Sequence, residues 1–132
     1  MTMKVVKTII LVLFAAMTLP LMAQMNKDPQ IKKEVGKARI TVVYGQDHLV
    51  LITGRQSSTH NPNIEIVLDS KARKTFDSVL SSKMGYTEKL KDVEGFVVEV
   101  TMASVNGKPG LMFTSGSKCV AITKEAFEIL CN

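Results

Sequence analysis

The sequence predicts an α+β fold: a single small domain in which an antiparallel sheet of about six strands carries two helices on one face. Three observations predict it. Short runs of period-two apolar alternation recur along the chain, most clearly in FVVEVTM, where Phe96, Val98, Val100 and Met102 alternate against Val97, Glu99 and Thr101. Two stretches, IVLDSKARKTFDSVL and CVAITKEAFEIL, pass from strand spacing to helical spacing with almost no loop between. Asn106-Gly107 is a strong two-residue hairpin turn, because both residues tolerate positive φ.

The chain opens on an apolar run. Lys4 and Lys7 form a basic head, and no residue from Ile9 to Met22 is charged. A bilayer-spanning helix needs about 20 apolar residues, so this run is too short to be one. It has the form of a secretory signal peptide covering residues 1–23, with Pro20 ending the helix and Ala23 as the small residue before the cut. An uncleaved anchor and a core helix are the competing readings, and length and charge order speak against both. The expected location is therefore secreted or periplasmic, with membrane contact only during export.

Removing 23 of 132 residues leaves 109, enough for one domain with a real core. Lys4 and Lys7 leave with the leader, so 15 basic residues face 12 acidic ones, a balance of +3. That mild excess makes no case for nucleic acid or for anionic membranes.

Residues 24–37, QMNKDPQIKKEVGK, are polar, with Ile31 and Val35 as the apolar anchors, and read as a flexible N-terminal arm. The α+β domain occupies 38–132. RITVVY and HLVLITG flank the turn residues GQD as a hairpin. RQSSTHNPN is a long polar loop in which Arg55, His60 and Asn61 are candidate recognition residues, since polar loops on a rigid sheet often carry binding. IEIVL is a third strand. Asp69 or Ser70 caps the helix that follows, Ala72, Phe76, Val79 and Leu80 form its apolar face, and Gly85 is the expected stop. GYTEKLKDVEG reads as a charged connector. FVVEVTM, GLMFT and KCVAI are three further strands, and Thr123 caps a closing helix over Lys124 to Cys131. The order βββα, βββα suggests an internal duplication. The sheet-then-helix layout around IVLDSKARKTF and VAITKEAF is loosely similar in topology to PUR-type nucleic-acid-binding repeats. The similarity covers the layout alone, carries over no residues, and concerns proteins that work inside cells.

Cys119 and Cys131 allow a disulfide in an exported chain. Four strand residues from Cys119 to Thr123 span about 13 Å, and eight helical residues back to Cys131 span about 12 Å, so the sulfurs share a level. Side-chain parity opposes the bridge, because Val120 and Ile122 should face the helix and turn Cys119 outward. If formed, the bridge would contribute about 3 kcal/mol.

Chemistry is sparse. No Cys/His spacing suits a metal, no cofactor motif occurs, and Ser115-x-x-Lys118 lies between strands, where it lacks the helical context that makes such a pair reactive. Lys71, Arg73 and Lys74 crowd the first turn of the first helix, where backbone N–H groups already favour an anion. They are the candidate anion site. The expected function is a small non-catalytic binding or interaction domain whose partner is a protein or a small anionic ligand. The alternatives are a small exported hydrolase assembled from distant residues such as His48, His60 and Ser115, and a homodimer formed through an open sheet edge.

Overall fold

The structure is a computed structural model that describes residues 30–53 and 63–132. The leader and the loop residues Arg55, His60 and Asn61 lie outside the described residues. The described residues of Ile31–Val42 and Gln46–Asn132 form one compact unit, while Val43–Gly45 holds a turn with Tyr44 and Gly45 both at positive φ.

The fold is α+β, with two antiparallel sheets of four strands each and two helices, in place of the single sheet of about six strands that alternation suggested. The first sheet runs in order β1 (Gln30–Val35), β2 (Ala38–Val43), β3 (Gln46–Leu51), β4 (Ile64–Val67). Helix α1 (Ser70–Leu80) follows. The second sheet runs in order β5 (Thr87–Lys91), β6 (Val97–Val105), β7 (Lys108–Ser115), β8 (Lys118–Thr123), and helix α2 (Lys124–Cys131) closes the chain.

The two additional strands are β1 and β5. Gln30–Val35, expected within a flexible arm, pairs along β2, and Thr87–Lys91, expected in a charged connector, pairs along β6. Both are edge strands. One ladder of backbone hydrogen bonds is enough to hold an edge strand, and charges on it discourage pairing with strands that do not complement them, so such strands need little apolar pattern.

Helix α1 stops at Leu80, short of the expected Gly85. The Ser81 and Ser82 hydroxyls donate to the carbonyls of Asp77 and Ser78, and the Ser82 N–H donates to Val79. These bonds finish the helix early. Gly85, at φ +89°, instead turns the chain into β5, where its N–H donates to the Met102 carbonyl. At the helix starts, the Asp69 carboxylate accepts from Ala72 N–H at 2.9 Å and the Thr123 hydroxyl accepts from Ala126 N–H at 3.1 Å, each capping as its residue type predicts.

Each half is thus ββββα. Setting cap upon cap, Asp69 on Thr123, brings Ile66 and Leu68 onto Val120 and Ile122, and Phe76 onto Leu130, all of them buried. One contiguous core joins the halves. Helix α1 packs on β5, β6 and β7, and α2 packs on β7 and β8. At the centre the ring of Phe76 meets Phe113 and Phe127 edge-on, with centroids 5.7 and 5.2 Å away.

Both cysteines are free thiols. Parity wins over level: Val120 and Ile122 face the core, Cys119 is exposed on the opposite face of the second sheet, and Cys131 is half-buried against the core.

Candidate functional site

The most developed feature lies where the two sheets meet. In β4 the bond from Leu68 N–H to the Asp47 carbonyl sets which residues pair with β3, so the N–H and C=O of Glu65 and Val67 point away from it. In β5 the bonds joining Asp92 with Phe96 and Tyr86 with Met102 set the same parity. Thr87, Lys89 and Lys91 therefore turn their backbone groups away from β6. The two outward edges touch at one point, where Val93 N–H donates to the Glu65 carbonyl at 3.0 Å.

The Asp92 carboxylate makes that junction rigid. It is buried and accepts from the N–H groups of Glu94 and Phe96, both at 2.9 Å, while the Gly95 N–H donates to the Asp92 carbonyl. The bonded turn holds Val93, Phe96 and Val97 outward, 41%, 56% and 49% exposed, a small apolar promontory.

From this junction the edges diverge around a cleft of about 480 Å³, lined by Ile66, Val67, Asp69, Lys71, Ala72, Lys89, Leu90, Lys91 and Val97. Ile66, Ala72 and Leu90 are buried apolar floor, and Lys71, Lys89 and Lys91 supply positive charge. None of the three lysines forms an ion pair among the described residues. The Asp69 carboxylate is the acidic group on the lining, and its Oδ1 is already engaged as the helix cap. The size suits a ligand site, and the low-dielectric floor strengthens attraction to an anion above it.

The sequence-derived anion trio divides. Lys71 lines the cleft and also, together with Lys74, a neighbouring depression with Ser70, Thr75, Ser78 and Glu88, whereas Arg73 alone lies apart, between the helices near Asp77, Glu128 and Cys131. At 100° per residue Lys71 and Lys74 fall about 60° apart on one face, while Arg73 is turned about 160° from Lys71. Lys89 and Lys91 join Lys71 instead. Their signal was present as TEKLK, a leucine flanked by lysines at period two. Beside the cleft, Ser78 and Tyr86 hydroxyls donate to Glu88 at 2.6 and 2.7 Å; the Ser78 bond, then that from Tyr86, holds the Glu88 carboxyl below its ordinary value. The same bond raises the Tyr86 phenol.

A second polar cluster sits on the first sheet. His48 Nδ1 and Glu65 Oε2 lie 2.6 Å apart, and the bond from Ile52 N–H to the Lys37 carbonyl sets Thr41 opposite His48. The Thr41 hydroxyl is buried with no hydrogen-bond partner. Ser115 is elsewhere: its hydroxyl donates to the Val97 carbonyl at 3.0 Å, and Lys118 Nζ donates to the Asn63 carbonyl at 3.1 Å. Among the described residues no cluster of three His, Cys, Asp or Glu side chains forms a metal centre, and no helix is long and apolar enough to cross a membrane.

No protein family, curated protein or solved structure matches this chain. Its function is therefore argued from the cleft itself.

Proposed function

We propose that the protein is a small exported, non-catalytic binding domain, and that the cleft between β4, α1 and β5 is where it holds an anionic group of its partner. Export rests on the basic head and the 14-residue uncharged run from Ile9 to Met22. Binding rests on one observation above the others: three lysines without ion pairs surround an apolar floor. Three cations gathered here outnumber the nearby carboxylates, Asp69 on the lining and Glu99 opposite Lys89 on β6, and an arriving anion relieves the remaining repulsion. The helix N-terminus at Asp69–Ala72 adds a favourable dipole.

Titration of isotope-labelled protein with polyglutamate and, separately, with sulfate tests this reading. Saturable shifts at Lys71, Lys89 and Lys91 that weaken on raising salt and vanish in the Lys71→Gln/Lys89→Gln/Lys91→Gln variant support it. Shifts in neither titration, or shifts unchanged in the triple variant, refute it.

The hydrolase reading gains one observation, the 2.6 Å contact between His48 and Glu65. A histidine oriented by a carboxylate is the base half of a nucleophilic site. Thr41, opposite His48, is then the available hydroxyl, because Ser115 is committed to Val97. Hydrolysis of a panel of activated esters that disappears in His48→Gln would favour the enzyme; no turnover above buffer would remove it.

A further inference from the structure

We infer that the cleft receives an extended acidic segment of a partner protein, which adds to the β5 edge as a further strand; this rests on the anion-binding reading above. The backbone argues for it first. Lys89 and Lys91 present their N–H and C=O groups outward, and β5 ends its sheet with no strand paired to that side among the described residues. An open edge of this kind is a template for strand addition. The opposing β4 edge bonds Val93 at Glu65, and Val67 lines the divergence beyond that bond. The edge is therefore shielded at one end and open along Lys89–Lys91, a length of about 7–10 Å, or two to three residues of a guest strand.

Side chains specify the guest. Lys89 and Lys91 lie on the outer face, two residues apart, while Leu90 between them turns inward beside Ile66 and Ala72. A guest strand alternates likewise, so residues above the lysines should be acidic and those between them small and apolar. Lys71 guards the same cleft from α1 and extends the demand for negative charge. Alternating acidic and small apolar residues are thus the chemistry that fits.

A synthetic hexapeptide of alternating glutamate and valine is the probe, with a copy N-methylated at alternate amides and a copy in which lysine replaces glutamate. The full chain should bind the first, slow hydrogen exchange at the Lys89 and Lys91 amides, and bind the methylated and lysine copies at least tenfold more weakly. Lys89→Pro, which removes an N–H directed away from β6, should weaken binding about tenfold beyond Lys89→Gln, which removes only the charge. Equal binding of the methylated copy at the cleft would overturn strand addition while leaving the anion site standing. No saturable binding of the unmethylated peptide would also overturn it. If polyglutamate and sulfate fail as well, the anion reading falls with it. Protection of the Lys89 and Lys91 amides in a dimer without peptide would make a second copy of the chain the occupant, again overturning the proposal.

Discussion

Replacing Phe76 by alanine tests the claim that one aromatic junction holds the two halves together. The ring is fully buried and meets Phe113 and Phe127 edge-on at interplanar angles of 72° and 77°. Truncating a buried phenylalanine to alanine costs about 3–5 kcal/mol in transfer and cavity terms. Two edge-to-face pairs, each about 0.5–1.5 kcal/mol, place this site toward the upper end. A domain of this size has about 5–15 kcal/mol in total. With a urea dependence near 2 kcal/mol per molar, the unfolding midpoint of Phe76→Ala should fall by about 2 M. Phe76→Leu keeps most of the apolar area and loses the ring geometry, at about 1–2 kcal/mol. A double-mutant cycle with Phe127→Leu should return about 0.5–1.5 kcal/mol of coupling. A loss below about 1.5 kcal/mol in Phe76→Ala, or zero coupling in the cycle, would refute the idea that these rings are the junction.

Gly110→Ala should destabilise by about 1–3 kcal/mol in the same urea assay, because a Cβ there would collide with the Ile122 carbonyl of the neighbouring strand and approach Val105 Cγ2 to 2.7 Å. A thiol reagent should label Cys119 quickly and Cys131 slowly in the folded protein, since burial raises the Cys131 thiol and leaves less thiolate to react; unfolding should release two titratable thiols. Glu88, whose folded carboxyl lies below its ordinary value of 4.5, favours the folded state above that value and loses its contribution as pH falls through the folded one. Ser78→Ala should shift the Glu88 carboxyl titration upward, read by NMR, and make acid unfolding less steep.

How much of this was legible in the residues follows from what each element must satisfy. β6 and β7 were plain, because their alternation covers a core on one face and a hairpin turn joins them, with Asn106 and Gly107 at φ +53° and +79°. Both helix caps were plain for the same local reason. β1 and β5 are faint, because an edge strand is held largely by backbone bonds and β5 carries a single buried residue, Leu90, within its charged TEKLK alternation. The cleft is hidden with it: read as a connector, Thr87–Lys91 gives Lys89 and Lys91 no shared wall with Lys71. Of the basic trio, the helix keeps Lys71 and Lys74 on one face and turns Arg73 away, a division that spacing along the chain does not show. The contact between His48 and Glu65 joins residues 17 apart and depends on strand register, which local reading does not supply.

Helix α1 belongs by sequence to the first ββββα half, yet it lies across β5, β6 and β7 of the second. The first half therefore spends its own helix on the second, whose sheet is covered by both helices. A ribosome-bound fragment ending near Ser82 would hold an amphipathic helix without the three strands it packs on, so consolidation waits until the later strands emerge. Were the chain exported as proposed, such postponement would keep it a pliable string while it threads a narrow translocation channel.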